Sequence, residues 1–369
     1  MDTRIDTIVI GAGAAGLGAA KRLRDRGIDV VILDDRPRVG DTWRERYRSL
    51  KLFTPRGLAE LPGLRLGIGR YDFPTGAQFA DYLERYAERF ALPVRGSTRV
   101  TALTRAGTGF RLETAAGETF AAQRVIVATG EHRVPVTPDL AARLDPGIRQ
   151  LHSLEYAGPE DLAPGPVLVV GAGNSGTDIA LEAAAAGHAV TLAGRHPGQI
   201  PVDIDTPIGN LLSGVFIRRL RRTTVDSAKG RAIRDMMRGH GINLVRNKLK
   251  DLDRAGIART SRIVDVVPTG RPVTAEGVVL EPATIVWCTG SVPDLSWIRI
   301  DDAFDETGAP DQYRGLARKV PGLAFLGMPF QYSMASSTLM GMGADAEYLA
   351  DRLGEPAPRE PDLSPARAS

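Results

Sequence analysis

The chain contains the same pattern twice: an apolar strand, a glycine-rich turn, a helical stretch and a second apolar strand. The first copy reads IVIGAGAAG from residue 8 and continues to the strand VVIL at residues 30–33. The second copy reads VLVVGAGNSG from residue 167 and continues to the strand AVTL at residues 189–192. Unbroken apolar strands of this length are typical of parallel sheets that are covered on both faces. The sequence therefore predicts an α/β fold with two Rossmann-like dinucleotide-binding domains.

The three glycines of each copy have separate tasks in such a turn. The first makes the tight turn, the second lets the backbone approach a pyrophosphate, and the third allows close packing of helix on strand. The helix that follows offers free N–H groups and a partial positive charge to the phosphates. In this order they are Gly11, Gly13 and Gly16 in the first copy, and Gly171, Gly173 and Gly176 in the second.

The residues after each second strand separate the two expected ligands. The first copy ends in Asp34 and Asp35, where a carboxylate accepts hydrogen bonds from ribose hydroxyls and repels a 2′-phosphate. The second copy ends in Arg195 and His196, and the planar guanidinium of Arg195 matches a 2′-phosphate. An ordinary surface arginine is the alternative interpretation of Arg195. We therefore expect FAD in the first site and NADPH, in preference to NADH, in the second.

Two further segments indicate how the domains are joined. VIVATG, ending at Gly130, and TIVWCTG, ending at Gly290, each place a buried strand before a glycine turn. We expect the chain to re-enter the first domain near residue 285, so that the NADPH domain is inserted into a discontinuous FAD domain. The predicted boundaries are 1–160 for the first part of the FAD domain, 161–284 for the NADPH domain, 285–353 for the return segment and 354–369 for a disordered tail. Within the first part, Thr75 and Gln78 predict a capping box that opens a helix, and residues 94–127 predict a β-meander.

The single cysteine and the scattered histidines exclude several kinds of site. One cysteine, Cys288, permits neither an intramolecular disulfide nor a Cys-x-x-Cys redox pair, so disulfide reduction of the thioredoxin-reductase type is disfavoured. Its strand position indicates a small core residue. The five histidines give no metal-ligand spacing, and we expect no metal.

Charge and hydropathy bound the location and the partners. With 47 basic and 44 acidic residues the net charge is only +3, and we expect no nucleic-acid partner. The basic cluster at residues 217–222 is open to three interpretations: a solvated helix face, a phosphate or acidic-partner contact, or a membrane contact. No signal peptide fits the first residues and no apolar run approaches the ~20 residues of a membrane span. We expect a cytoplasmic protein.

Beyond the glycine turns, several motifs in order resemble the flavin-containing monooxygenases in the broad sense, including the YUCCA type and short bacterial relatives. The resemblance covers about residues 7–352. Gly40-Asp41-Thr42-Trp43-Arg44 and the following YRSL are similar to the GGTW segment near the flavin, and GAGNSGTD at 171–178 is similar to the NADPH turn. Residues 323–348, with FLG at 325–327 and MGMG at 340–343, resemble the C-terminal strand and helix that close over the flavin.

The chain departs from this family at four points. Asp41 replaces the second glycine of GGTW. In the identifying FxGxxxHxxxY sequence, His152 and Tyr156 are present, but Pro146 replaces the phenylalanine and Gly147 stands one residue too far from the histidine. Tyr156-Ala157 stands where the Baeyer–Villiger branch has Trp-Pro, which disfavours that branch. Phe53 falls where many members carry an asparagine and YUCCA-type members a histidine.

The resemblance implies that NADPH reduces FAD and that reduced flavin and O₂ form a C4a-hydroperoxide, which oxygenates a small substrate at nitrogen, sulfur or a carbonyl. It places Asn174 and Ser175 near the nicotinamide, and Trp43, Phe53, Tyr332 and Ser336 on the substrate side. For each of these last four residues, core packing or loop structure is the alternative interpretation. The residues expected to bind the two cofactors are Gly11, Gly13, Ala14, Ala15, Gly16, Asp34, Asp35, Gly40, Asp41, Thr42, Trp43, Leu52, Val100, Ala128, Thr129, Gly130, Gly171, Gly173, Asn174, Ser175, Gly176, Arg195, His196, Thr289, Gly290 and Leu339.

Two other functions stay open at this stage. The first is a non-oxygenating NADPH–flavin oxidase or dehydrogenase of a tailoring pathway, favoured by Phe53 and by the altered FxG segment. The second is a flavin-binding regulator without catalysis. The substrate is not readable from the sequence, and a homodimer is left open.

Overall fold

The computed structural model describes residues 4–200, 219–237 and 243–353, together with residues 204, 206, 209 and 355. The predicted tail at 354–369, apart from residue 355, and residues 217 and 218 of the basic cluster lie outside this range. The described helices are α1 (Ala14–Asp25), α2 (Asp41–Arg44), α3 (Arg56–Ala59), α4 (Gly76–Arg89), α5 (Asn174–Ala185), α6 (Ala228–Met237), α7 (Leu249–Arg254) and α8 (Met342–Arg352). The described strands are β1 (Arg4–Ile10), β2 (Val30–Leu33), β3 (Val94–Arg95), β4 (Val100–Ala106), β5 (Gly109–Thr114), β6 (Thr119–Val127), β7 (Val134–Pro135), β8 (Arg149–His152), β9 (Val167–Val170), β10 (Val190–Ala193), β11 (Ala258–Thr260), β12 (Ile263–Val266), β13 (Pro272–Thr274), β14 (Thr284–Trp287), β15 (Ser291–Val292), β16 (Gln312–Tyr313), β17 (Leu316–Ala317) and β18 (Leu323–Phe325).

The first sheet contains the first glycine unit. Its order is β16-β17-β18-β6-β1-β2-β3, and β1 pairs in parallel with β2 on one side and β6 on the other. The central residue Ile8 is fully buried, opposite Val31 and Val125. The predicted meander is present, because β4, β5 and β6 pair antiparallel in succession.

The second sheet contains the second glycine unit and is wholly parallel, in the order β11-β10-β9-β14-β8. The position of β14 beside β9 repeats that of β6 beside β1. In the first sheet Val9 lies opposite Ile126, and in the second Val169 lies opposite Val286. The predicted α/β class with two Rossmann-like units is confirmed.

The strand pairing differs from the predicted domain boundaries at two points. β8, at residues 149–152, lies within the predicted FAD segment but pairs with β14 in the second sheet. β14, at residues 284–287, lies almost wholly within the predicted return segment but pairs with β9. Both differences have one cause: an apolar strand pairs with partners far away in the chain, and its own residues do not specify which sheet it joins. The return to the first sheet follows β14, along β15.

Two connections cross between the sheets side by side. β7 and β15 form a two-stranded antiparallel ribbon in which Val134 lies opposite Val292. The N–H of Val136 donates to the carbonyl of Gly290 at 3.0 Å. The two glycine turns that end at Gly130 and Gly290 therefore lie next to this ribbon of β7 and β15. We call this region the junction between the units.

Helix α4 contributes several buried side chains to the hydrophobic core of the first unit. Thr75 and Gln78 form the predicted reciprocal capping box at its start. Its buried face includes Phe79, Tyr82, Leu83 and Tyr86. Among the described residues, no helix is long and apolar enough to cross a membrane, and no group of His, Cys, Asp and Glu residues could hold a metal ion. The cytoplasmic location and the homodimer stay predictions.

Candidate dinucleotide sites and the junction between them

The first glycine turn tolerates no side chain at two of its three glycines. Gly11 has a left-handed φ of 109°, and its N–H donates to the carbonyl of Leu33 at 2.7 Å. A Cβ on Gly11 would overlap the carbonyl of Ala128 and would lie against the backbone of Thr129. A Cβ on Gly16 would overlap the carbonyl of Gly11. The turn is therefore built by close backbone contact with residues 128 and 129. Gly130, which follows them, also has a left-handed φ, of 78°.

At the middle glycine the situation is the reverse. A Cβ on Gly13 would meet nothing within 4 Å, so open space lies in front of helix α1. The first helical hydrogen bond runs from the N–H of Leu17 to the carbonyl of Gly13 at 2.9 Å. The N–H groups of Ala14, Ala15 and Gly16 consequently have no helical acceptor. Free donors beside open space fit a pyrophosphate.

The two acids after β2 have different contacts. The carboxylate of Asp34 accepts from the N–H of Ala12 at 2.5 Å and from the N–H of Arg36 at 2.8 Å, and burial raises its pKa. Asp35 forms an ion pair with Arg133. Asp34 thus holds the glycine turn to the end of β2, and its carboxylate, with about four acceptor positions, retains capacity for ribose hydroxyls.

The GGTW-like segment encloses the first site from the other side. Gly40 has φ 91° and lies against the backbone of Ala80, which leaves no room for a side chain. The carboxylate of Asp41 accepts from the N–H of Arg38 at 3.1 Å and pairs with Arg44 at 3.0 Å. These contacts show what the aspartate does in place of the family's glycine: it fastens the start of α2.

The remaining residues predicted for the FAD site are placed as follows. The ring of Trp43 packs edge-to-face on Phe79 with centroids 5.0 Å apart. The N–H of Leu52 donates to the carbonyl of Pro74 at 2.9 Å. Val100 is buried in β4, Leu339 packs against the hydrophobic core of the first unit, and Thr42 is exposed on α2.

The second glycine turn repeats the construction of the first. Gly171 has φ 114°, its N–H donates to the carbonyl of Ala193 at 2.8 Å, and a Cβ there would overlap the carbonyl of Cys288. A Cβ on Gly176 would overlap Gly171, whereas a Cβ on Gly173 would meet nothing within 4 Å. The same open cradle therefore lies in front of helix α5, and it fits a second pyrophosphate.

A cleft of about 500 Å³ adjoins this second turn, and Gly194, His196, Leu252 and Arg259 are among its lining residues. His196 accepts from the N–H of Gly198 through Nδ1 at 3.0 Å, and its buried Nε2 has no hydrogen-bond partner. Arg195 is exposed at the end of β10. The unpartnered ring nitrogen of His196 in the cleft and the exposed guanidinium of Arg195, its neighbour in the chain, fit the phosphorylated adenosine of NADPH.

Asn174 and Ser175 occupy the first turn of α5. The side-chain oxygen of Asn174 accepts from the N–H of Val245 at 3.1 Å, and its Nδ2 donates to the carbonyl of Asn243 at 3.2 Å. Asn174 therefore ties the helix N-terminus to the segment that follows residue 242. Ser175 is half-buried beside it.

Several polar groups meet where the two units adjoin. His152 donates through Nε2 to the carbonyl of Gly290 at 2.9 Å, and Tyr156 donates to Glu182 at 3.0 Å. The two residues kept from the family's identifying sequence therefore have structural contacts here. His152 binds the turn at Gly290, and Tyr156 lies in the core of the second unit. Thr289 donates to the carbonyl of Val136. Cys288, beside Gly171, has its pKa raised to about 12 by burial, so its thiol stays protonated near neutral pH.

Glu131 and Arg46 are two junction residues that sequence reasoning does not single out. Burial raises the pKa of Glu131 to about 7, a hydrogen bond joins it to Ser337, and its Oε1 has neither solvent contact nor partner. Burial lowers the pKa of Arg46, whose Nε is likewise without partner. No sequence signal separates these two residues from ordinary surface charges. What distinguishes them is that one polar atom of each is shielded from solvent without a hydrogen-bond partner, and only the folded structure shows this.

The residues predicted for the substrate side have different contacts in the structure. Phe53 is 37% exposed. Tyr332 donates to Asp226 at 2.8 Å, and its ring lies 3.8 Å from the guanidinium of Arg314. Ser336 accepts from the N–H of Tyr332 at 3.1 Å and holds the loop. Within the part of the chain that the structure describes, no hydrogen bond or ring contact joins Phe53 to Tyr332.

Two open glycine turns, each at the carboxyl ends of parallel strands and each in its own sheet, define an oxidoreductase that uses two dinucleotides. The chain belongs to the pyridine nucleotide-disulphide oxidoreductase family, whose model matches residues 8–234. It is 35% identical over 346 residues to a Geobacillus kaustophilus protein named as an uncharacterized CzcO-like oxidoreductase, covering 94% of this chain and 97% of that protein.

Two further comparisons concern monooxygenases. A flavin-containing monooxygenase from Stenotrophomonas maltophilia is 28% identical, with a TM-score of 0.76, and the match covers 96% of this chain and 98% of that one. Indole-3-pyruvate monooxygenase YUCCA1 of Oryza sativa is 36% identical over 183 residues, 47% of this chain and 44% of that protein. The predicted flavin monooxygenase-like resemblance, the enzyme class and the use of FAD and NADPH are confirmed.

Proposed function

We propose that this enzyme is a monooxygenase that uses NADPH, FAD and O₂ to transfer one oxygen atom to a small substrate at nitrogen, sulfur or a carbonyl. The observation that carries the proposal is the pair of matched cradles at Gly13 and Gly173, where an added Cβ would meet nothing within 4 Å. The likeness of nearly the whole chain to a flavin-containing monooxygenase supports it. FAD, when bound, supplies the electron transfer and oxygen activation, and the chain supplies binding, position and dryness.

The first cradle would hold FAD. The N–H groups of Ala14 and Ala15 would donate to its pyrophosphate, while Asp34 would accept from a ribose hydroxyl. Because Asp34 already binds the N–H of Ala12, the same carboxylate would couple ribose binding to the shape of the turn.

The second cradle would hold NADPH. The N–H groups at the start of α5, among them that of Ser175, would donate to the pyrophosphate, and Arg195 would pair with the 2′-phosphate. The unpartnered Nε2 of His196 would gain a partner in the adenosine portion.

Glu131 is the candidate proton donor of the junction. Its carboxyl has a pKa of about 7 and therefore holds a proton in a large fraction of molecules at neutral pH. A reduction of O₂ that leaves one atom in water requires protons, and the unpartnered Oε1 would hold one in a region sheltered from solvent.

A disulfide reductase is disfavoured because Cys288 is the single cysteine and burial raises the pKa of its thiol to about 12, so the thiol remains protonated. The non-oxygenating NADPH oxidase is retained as the second candidate, because Phe53 and Pro146 stand where the monooxygenases carry other residues.

Reaction under ¹⁸O₂ separates these two candidates. NADPH-reduced enzyme is mixed with ¹⁸O₂ and a panel of amines, sulfides and ketones, and product mass and peroxide are both measured. We expect a product heavier by one ¹⁸O atom with NADPH consumed in equal amount. Peroxide equal to the NADPH consumed, with unlabelled substrates throughout the panel, would contradict the monooxygenase.

A further inference from the structure

Arg46 differs from the other arginines of its segment. Arg44 pairs with three carboxylates, and Arg48, two residues further on, pairs with Glu160. In the described part of the chain, Arg46 forms no ion pair and its side chain no hydrogen bond, although its Nε is shut off from solvent. It is half-buried, so its positive charge is partly removed from water without protein compensation.

The groups around Arg46 do not supply the missing negative charge. The ring of Tyr47 lies 5.9 Å from its guanidinium, and burial raises the pKa of that phenol. Burial also raises the pKa of the Cys288 thiol and lowers the pKa values of His132 and His152. All four side chains are therefore neutral near pH 7.

Two carboxylates act on these neighbours, and both are already engaged: Glu155 accepts from the N–H of His152 at 2.7 Å, and Asp178 has two donors. One of its oxygens accepts from the hydroxyl of Tyr47 at 2.9 Å, and the other from the amide of Asn247 at 2.5 Å. The arginine that acts on its pKa is Arg246 rather than Arg46. The guanidinium of Arg46 is thus the uncompensated charge at the place where Cys288 lies against Gly171.

We propose that Arg46 binds the carboxylate of an organic anion, and that the substrate of this enzyme is a small carboxylic acid. The inference rests on the proposed function, because it assigns the charge of that substrate. A partly buried, unpaired guanidinium is unfavourable in the free protein, and its planar fork matches a carboxylate in bidentate fashion. The phosphates of the two dinucleotides already have partners, namely the N-termini of α1 and α5 and Arg195. Arg46 is left for a third anion at the junction.

The test measures anion binding to the FAD-loaded enzyme before any turnover. The probes are benzoate and phenylacetate, with benzamide and phenylacetamide as uncharged analogues of the same shape. The variants are Arg46→Gln, Arg46→Lys and, as matched control, Arg48→Gln, which removes an exposed arginine from the same segment. Thermal unfolding against probe concentration gives each Kd, and a fluorescence titration gives the Kd of NADPH.

We expect the carboxylates, but not the amides, to raise the unfolding midpoint of the wild type and of Arg48→Gln. Arg46→Gln should weaken carboxylate binding by about 10- to 100-fold, because a charge-assisted pair is lost. The carboxylate affinity of Arg46→Lys should lie between those of the wild type and Arg46→Gln, since lysine keeps the charge but lacks the planar guanidinium. The Kd of NADPH should change by less than about twofold, and the ligand-free midpoint should not fall, because an uncompensated charge is removed.

Three results would overturn the inference: a wild type that ignores carboxylates, equal carboxylate binding in Arg46→Gln and Arg48→Gln, or a loss confined to NADPH. The last would identify the anion as a dinucleotide phosphate. Carboxylate binding that depends on Arg46 without ¹⁸O in any product would instead contradict the proposed monooxygenation and leave the anion site standing.

Discussion

The hydroxyl of Tyr47 donates to the carboxylate of Asp178 across 2.9 Å, and this bond joins the segment after β2 to helix α5 of the second unit. The other oxygen of Asp178 accepts from Asn247, so the carboxylate connects three parts of the chain. Burial raises its pKa, which means that its charge depends on these donors. A buried polar network centred on Asp178 therefore holds these three parts of the chain together.

Replacement of Tyr47 by phenylalanine should destabilise the protein by about 1–3 kcal/mol, because a buried carboxylate loses one of its donors. The measurement is the free energy of unfolding in urea. Tyr71→Phe removes the hydroxyl of a tyrosine that is 56% exposed and serves as the control. Equal stability of the two variants would mean that the bond across the junction contributes nothing.

The two open glycines give a second prediction, which separates the cofactors. Gly13→Ala and Gly173→Ala both place a methyl group in open space, so both variants should fold with a free energy of unfolding close to that of the wild type. Gly13→Ala should be purified with little FAD. Gly173→Ala should keep FAD but bind NADPH about tenfold or more weakly, because the methyl group stands where the pyrophosphate approaches the backbone.

The flavin absorbance per protein and a fluorescence titration with NADPH measure these two effects. Gly67→Ala, which also meets nothing within 4 Å but lies far from either turn in the chain, is the control. Loss of NADPH binding in Gly13→Ala with normal FAD content would reverse the assignment of the sites.

Arg195 gives the third prediction. Arg195→Ala should raise the Kd of NADPH about 10- to 100-fold and leave that of NADH nearly unchanged, because only NADPH carries the 2′-phosphate. Titration of the oxidised enzyme with each nucleotide measures the ratio, and Arg149→Ala, another exposed arginine, is the control. Equal losses for the two nucleotides would refute the assignment.

Local features of this chain are readable from the sequence. Gly11 and Gly171 follow apolar strands and precede helices, and the backbone overlaps found at both positions are what such a turn requires. The capping box of Thr75 and Gln78 depends on residues three apart, so it is equally local. These elements agree with the prediction because their cause lies within a few residues.

Long-range features are not readable in this way. β14 joins the second sheet by pairing with β9, and β8 joins it by pairing with β14. No pattern within either strand indicates these partners. Arg44 and Arg46 stand in one short basic segment. Among the described residues, Arg44 pairs with three carboxylates and Arg46 with none, and only the fold determines this difference. The candidate site was predictable at its phosphate cradles and unpredictable at its junction, where charge compensation depends on distant residues.

The raised pKa of Glu131 leads to a pH dependence of stability. The group has an ordinary pKa of 4.5 and a pKa of about 7 in the folded protein, so the folded state binds the proton more tightly than the unfolded chain does. Its contribution is complete below pH 4.5 and is lost as the pH rises through 7, by at most roughly 3 kcal/mol. Glu131→Gln keeps the shape without the titration, so the stability of the wild type relative to this variant should fall between pH 4.5 and pH 8. Urea unfolding at a series of pH values measures the difference, with the exposed Glu113→Gln as control. Parallel curves for wild type and Glu131→Gln would show that this carboxyl titrates as it does in water, and would remove it as the proton donor of the junction.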